Sequence, residues 1–94
     1  MKRRFILISY DIVDKRKRAR IARLMEANGV RVQKSVFECW LSERQYLELR
    51  GKLEGIIDLK TDTIRYYQLC KDCVMGIEYV GVGSSTTDDE IVVI

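Results

Sequence analysis

The fold of this chain is decided by residues 5–12, which read FILISYDI. The first six of these residues are almost all apolar, which is typical of a strand buried on both faces in the middle of a sheet. The apolar run ends at Asp11, so the sequence predicts a carboxylate at the rim of that sheet. The run is far shorter than the roughly 20 apolar residues that cross a bilayer, so no membrane span is predicted.

A basic helix is predicted to follow the strand, over residues 15–28. Asp14 can cap its start, and apolar side chains recur at helical spacing through the segment. Gly29 is expected to end the helix in a left-handed conformation.

Residues 30–41 return to β-branched and aromatic side chains, with imperfect alternation near residues 34–36. Spacing alone allows either one bulged strand or two short strands, over residues 30–34 and 36–41, joined by a tight reversal. Two strands here would give an α+β fold, the ferredoxin-like βαββαβ sandwich, in which two helices cover one face of an antiparallel sheet.

A second helix and two strands are predicted for the rest of the domain. Ser42 and Gln45 form a capping-box pattern, and the helix that they open is expected to stop near Gly55. Strands are predicted over residues 63–69 and 74–82, the second as an additional C-terminal edge strand.

The chain of 94 residues is short enough for one domain with a thin core, which we place at residues 1–82. Residues 83–94 are interpreted as a flexible acidic linker followed by an apolar tail. Because the tail is β-branched, it is predicted either to pair with another chain as an edge strand or to fold back within its own subunit.

Charge is distributed unevenly along the chain. The first 35 residues carry 11 Lys and Arg against 3 Asp and Glu, a net charge of +8, whereas the rest carry 6 against 11, a net charge of −5. Arg16, Arg20 and Arg23 recur at i, i+4 and i+7 on the first predicted helix, and Arg18 lies alongside. Since like charges at this spacing oppose the helix, we interpret them as a surface for a polyanion such as nucleic acid, with a solvated face as the alternative.

The chain contains no histidine, which excludes Ser-His-Asp hydrolysis, imidazole zinc sites and histidine acid–base catalysis. Asp11 is the first candidate for chemistry. One carboxylate is a weak metal site, but two copies packed about a two-fold axis would let both Asp11 side chains share Mg²⁺ or Mn²⁺. Such a cation would activate water and neutralise a phosphodiester. The alternative is that Asp11 only caps a turn or begins, with Asp14, the entry into the helix.

The cysteines give a weaker signal. Their odd number and the lack of a predicted secretion signal favour reduced thiols and a cytoplasmic location. Cys70 and Cys73 have zinc-ligand spacing, but a structural site needs a second pair. A thiolate site shared across a dimer, or a redox pair, is the alternative.

Three segments together resemble the small core CRISPR-associated protein that partners the CRISPR integrase in spacer acquisition. They are FILISYDI at residues 5–12, QKSVFEC at residues 33–39 and IRYYQLC at residues 64–70. The resemblance covers about residues 3–82. It implies the ferredoxin-like fold, and therefore favours two strands between residues 30 and 41.

The resemblance also implies a homodimer in which the two Asp11 side chains face each other, with Asp11 as the metal-binding and catalytic residue and Mg²⁺ or Mn²⁺ as the cofactor. It implies supporting roles, in substrate contact or interface structure, for Tyr10, Arg18, Arg20, Arg31, Ser35 and Phe37. With the helix arginines, the nucleic-acid-binding candidates are Arg16, Arg18, Arg20, Arg23 and Arg31.

Members of that family are metal-dependent endonucleases on RNA or double-stranded DNA, or non-catalytic scaffolds that hold the integrase on DNA. We therefore expect a spacer-acquisition subunit of antiviral defence that binds double-stranded DNA with the integrase, with endonuclease activity as a further expectation. The alternatives are a toxin-like ribonuclease and a non-catalytic interaction module of the same fold.

Overall fold

The computed structural model describes residues 2–70, Met75, Gly76 and Glu78. The elements are β1 (Arg3–Asp11), α1 (Lys15–Asn28), β2 (Val30–Gln33), β3 (Val36–Ser42), α2 (Glu43–Glu54) and β4 (Thr63–Leu69). The strands form one antiparallel sheet in the order β2-β3-β1-β4. This α+β, ferredoxin-like arrangement confirms the predicted fold class, including two strands between residues 30 and 41.

The junction of β2 and β3 contains both irregularities that the sequence left open. Lys34 and Ser35 form a tight turn between the strands. The pairing of β2 with β3 also shifts register between Arg31 and Gln33. A reversal and a bulge therefore act together to break the alternation.

β1 is the central strand as predicted, but only one of its faces is fully buried. Ile6 and Ile8 are completely buried in the core beneath the helices. On the opposite face Phe5 is buried at one end, against Trp40, while Leu7 and Ser9 are half-buried and Asp11 is exposed. The prediction of burial on both faces was wrong for the single chain, because both helices pack against the same side of the sheet. We call the other side the open face.

Both helices begin where their capping signals predict. Asp14 caps α1, its carboxylate accepting a hydrogen bond from the Lys17 amide at 2.9 Å. The capping box of α2 is complete: the Gln45 amide donates to Ser42 Oγ at 3.2 Å, and the Ser42 amide donates to Gln45 Oε1 at 2.9 Å. These local hydrogen bonds satisfy backbone amides that a helix start leaves without partners.

Gly29 ends α1, but not in the left-handed conformation that the sequence suggested. Its φ of −166° and ψ of −167° are extended, and its amide donates to the Met25 carbonyl at 2.8 Å. Glycine is required here because β3 passes too close to leave room for a Cβ atom. A Cβ at this position would lie 2.6 Å from the Glu38 carbonyl oxygen and would overlap the buried Cys39 Sγ.

Gly29→Ala is therefore expected to lower the free energy of unfolding by about 1 to 3 kcal/mol, because the added methyl overpacks the contact with β3. Urea denaturation followed by circular dichroism measures the change. Gly51→Ala is the matched control, since a Cβ there has open space in the middle of α2 and is expected to be neutral or stabilising. Equal midpoints for Gly29→Ala and the parent would contradict the steric argument.

Some sequence predictions fall outside the described residues. The predicted edge strand at 74–82 is described only at Met75, Gly76 and Glu78, none of which is assigned to a strand. The linker and tail at 83–94, and with them the proposed domain boundary, lie outside entirely and remain predictions. Within the part of the chain that the structure describes, no helix is long and apolar enough to cross a membrane.

Candidate functional site

Asp11 lies at the rim of the sheet, as the sequence predicts. It is the last residue of β1, it pairs with Thr63 at the start of β4, and its side chain is exposed. Together with Ser9, Tyr10, Thr63 and Arg65 it lines a shallow depression of about 180 Å³. The walls are mainly polar, so the depression suits a charged ligand better than an apolar one.

Arg65 is a member of this site that the sequence did not reveal. It lies directly opposite Ser9 in the pairing of β1 with β4, and therefore on the same open face as Asp11. Its side chain forms no ion pair with any residue that the structure describes. Alternation along residues 63–69 was visible in the sequence, but only the register places Arg65 beside Asp11.

Tyr10 and Phe37 lie on the buried side of the sheet, where their rings stack at a centroid distance of 6.3 Å. Burial raises the pKa of Tyr10, and its hydroxyl donates to the Lys34 carbonyl at 3.5 Å. The Arg31 guanidinium lies 5.1 Å from the Phe37 centroid, donates to the same carbonyl at 3.1 Å and pairs with Glu26 at 3.2 Å. These three predicted site residues thus hold the β2–β3 turn in place.

Ser35, in the same turn, contributes through its backbone. Its carbonyl accepts a hydrogen bond from the Tyr10 amide at 3.0 Å. This bond fixes the turn next to the last residues of β1, so Ser35 supports the end of the strand that carries Asp11.

The arginines of α1 divide into two groups. Arg16, Arg20 and Arg23 are exposed and form no ion pair among the described residues, and we call these three the basic ridge. Arg18 lies on another side of the helix, close enough to Tyr10 that its charge lowers the pKa of the phenol in opposition to burial. The structure therefore brings Arg18 towards Tyr10 and Arg31, and leaves the basic ridge exposed to solvent.

The donors for a divalent cation are incomplete within one chain. Among the described residues, no cluster of three or more His, Cys, Asp or Glu side chains could hold a metal. Asp11 offers the hard carboxylate oxygen that Mg²⁺ prefers, but Mg²⁺ needs six oxygen ligands. The chemistry of the donor therefore fits, while the remaining oxygens must come from another copy of the chain, from water or from a phosphate.

The fold and site define a small ferredoxin-like protein with a carboxylate at the rim of an open sheet face and a basic helix beside it. The chain belongs to the family of CRISPR associated protein Cas2, whose family model matches residues 4–76. This confirms the resemblance seen in the sequence.

Curated relatives match most of the chain. The CRISPR-associated endoribonuclease Cas2 1 of Chloroflexus aurantiacus is 48% identical over 80 residues, which cover 84% of this chain and 86% of the relative. The CRISPR-associated endonuclease Cas2 2 of Thermus thermophilus is 39% identical over 83 residues, covering 88% of each. The first name specifies RNA as the substrate, whereas the second names no particular nucleic acid.

Solved structures show the same architecture. Streptococcus pyogenes Cas2 matches with a TM-score of 0.72 and 34% identity, covering 82% of this chain and 99% of that one. A chain of a partial Cas6-RT-Cas1–Cas2 complex matches with a TM-score of 0.69 and 33% identity, covering 79% of this chain and 81% of that one. That similar chain therefore occurs in an assembly with Cas1.

Proposed function

We propose that this chain is a homodimeric subunit of CRISPR spacer acquisition, which binds double-stranded DNA together with the integrase and cleaves phosphodiesters with Mg²⁺ or Mn²⁺ at Asp11. The proposal depends on one observation: an exposed carboxylate ends the central strand at the rim of an open sheet face, beside a helix whose exposed arginines form no ion pair with described residues. Membership of the Cas2 family, the nuclease names of relatives and the Cas1–Cas2 assembly of a similar chain support it.

The open face favours a homodimer because several of its apolar side chains are only partly covered. Leu7, Val36 and Trp40 are only half-buried there, while Val30 and Tyr67 are 45% and 44% exposed. Glu38 lies among these side chains, opposite Leu7 and Val30, but apolar groups gathered on one exposed face still mark an interaction surface, and a short chain with a thin core gains stability by covering it. A second copy packed on this face about a two-fold axis parallel to the strands would place a second Asp11 at the same rim.

Within such a dimer, each chain would contribute one carboxylate oxygen donor through Asp11, and phosphate and water oxygens would complete the shell. A bound divalent cation lowers the pKa of water and neutralises charge on the phosphodiester. Arg65 would bind a phosphate oxygen beside Asp11, since its guanidinium lines the same depression. The chain has no histidine, so no imidazole can act as the base.

The basic ridge supports binding to a nucleic-acid backbone. Its outer members, Arg16 and Arg23, are separated by about 10 Å along the helix axis at about 1.5 Å per residue. This distance spans about three phosphates of one DNA strand. The integrase would be engaged by the predicted C-terminal tail, and this part of the proposal depends on the sequence and on the similar chain found with Cas1.

Sedimentation in the presence and absence of duplex DNA tests the proposal. We expect the parent chain, of 11.0 kDa, to sediment as a dimer of about twice that mass and to shift on adding the duplex. A monomer that does not bind DNA would contradict both the proposed dimer and the proposed DNA binding.

Leu7→Lys is expected to raise the dimer dissociation constant at least about a hundredfold, because it buries a charged side chain at the centre of the covered face, where the desolvation cost outweighs pairing with Glu38 on β3. Sedimentation at micromolar concentration measures the change. Leu47→Lys is the matched control, since Leu47 is a leucine 58% exposed on α2, away from the open face. If Leu7→Lys and Leu47→Lys dimerised equally, the open face would not be the interface.

A further inference from the structure

A single carboxylate joins the two loops that meet at the Asp11 end of the sheet. Asp62 Oδ1 accepts a hydrogen bond from the Val13 amide at 2.9 Å, and Asp62 Oδ2 accepts one from the Asp58 amide at 2.8 Å. Val13 belongs to the loop between β1 and α1, whereas Asp58 and Asp62 belong to the loop between α2 and β4. These backbone hydrogen bonds hold the pKa of Asp62 below its usual value, as expected for an ionised acceptor.

The bond to Val13 anchors the chain directly after Asp11. Asp11 itself is held by its pairing with Thr63, and Ile12 is buried in the core with 3% exposure. The Val13 side chain is 68% exposed, so packing does little to fix this residue. The hydrogen bond to Asp62 is therefore the described contact that fixes the backbone at Val13, between the end of β1 and the start of α1.

We propose that Asp62 is a positioning residue for Asp11: by holding the Val13 amide it fixes the backbone at the end of β1, and so the direction in which the Asp11 carboxylate meets a divalent cation. The inference deepens the proposed function and depends on it, because it takes the cation at Asp11 as the ligand. Asp62 acts through the backbone and does not itself bind the metal or the substrate.

Asp58 provides a matched control in the same loop. Its carboxylate accepts a hydrogen bond from the Lys60 amide at 2.9 Å, which stays within the loop. Replacing Asp58 or Asp62 by alanine changes the net charge equally, but only the Asp62 substitution removes the bond to Val13. Any general effect of losing an acidic side chain would therefore appear in both variants.

The test compares Asp62→Ala, Asp58→Ala and Asp11→Asn in the full chain by two measurements. Amide hydrogen exchange at Val13 should become at least about tenfold faster in Asp62→Ala, and Mn²⁺ affinity, measured by calorimetric titration, should fall about tenfold or more. Asp58→Ala should leave both quantities within about twofold of the parent. If Asp62→Ala does not fold, Asp62→Leu is used, since leucine is similar in size to aspartate and has no oxygen to accept the Val13 hydrogen bond.

The outcomes separate the inference from the proposed function. If Asp11→Asn loses Mn²⁺ binding but Asp62→Ala keeps the parent affinity, the positioning role is overturned while the metal site stands. If Asp58→Ala weakens Mn²⁺ binding as much as Asp62→Ala, the positioning role is also overturned. If Asp11→Asn binds Mn²⁺ as tightly as the parent, both the metal site and the inference fall.

Discussion

Asp11→Asn is expected to reduce metal-dependent cleavage of nucleic acid at least about a hundredfold, because it removes the anionic oxygen proposed to hold the cation. Asparagine has nearly the same shape as aspartate, and the backbone pairing of residue 11 with Thr63 does not involve the side chain. The substitution should therefore leave the fold and the dimer intact. Cleavage of single-stranded RNA and of duplex DNA is measured separately, with Mg²⁺, with Mn²⁺ and with a chelator.

Asp14→Asn is the matched control for this prediction. Asp14 is an exposed carboxylate three residues further on, and it caps α1 through the Lys17 amide. Asparagine is as good a helix cap as aspartate, so the variant loses the same charge with little cost to the fold. Cleavage that persists in Asp11→Asn, or that is lost equally in Asp14→Asn, would show that Asp11 is not the metal ligand.

Spacer acquisition in cells separates the nuclease from the scaffold. If Asp11→Asn supports acquisition as well as the parent, the chain acts there through binding alone, and cleavage is dispensable for that role. If acquisition is lost while the dimer and DNA binding are retained, the carboxylate takes part in the process. The assays on RNA and on DNA then decide which of the two nucleic acids is the substrate.

Local signals predicted the elements well. Both helix starts depend on hydrogen bonds made within a few residues, at Asp14 and at Ser42 with Gln45, so the sequence contains all the partners involved. The predicted bounds of α1 and β4 also agree with the structure, because helical spacing and strand alternation are patterns within the segments themselves. The choice between one strand and two over residues 30–41 needed the family resemblance, because the turn consists of only two residues, Lys34 and Ser35, and these are too few to distinguish a turn from a bulge.

Features that depend on register or on distant contacts could not be predicted. Gly29 is needed because β3 passes close to it, 2.6 Å from the position of an added Cβ to the Glu38 carbonyl oxygen, and nothing near Gly29 in sequence indicates that approach. Arg65 joins Asp11 only through the pairing of β4 with β1. Asp62 reaches Val13 across 49 positions of sequence. Asp11 could therefore be identified as a candidate from the sequence, whereas its neighbours Arg65 and Asp62 could not.

Reversing the charge of the basic ridge, by changing Arg16, Arg20 and Arg23 to glutamate, is expected to weaken binding to duplex DNA about 500-fold at 0.1 M salt. Removing one cation that neutralises a phosphate reduces the slope of log affinity against log salt by about 0.9, so removing three reduces it by about 2.7. Repulsion between the new carboxylates and the phosphates weakens binding further. Binding is measured by fluorescence anisotropy at several salt concentrations.

The control for the ridge reverses three exposed cations on and after α2, Arg44, Lys52 and Lys60, which gives the same change in net charge. It also breaks the Arg44–Glu48 ion pair, which is exposed and contributes little to stability. A general effect of net charge would weaken both triple variants alike, whereas a binding surface on α1 weakens only the ridge variant. Because α1 has no described ion pair that involves the ridge, its reversal breaks no described salt bridge, and the like-charge repulsion between the three positions is about the same for glutamate as for arginine. Unchanged affinity and an unchanged salt slope in the ridge variant would therefore mean that α1 does not contact DNA.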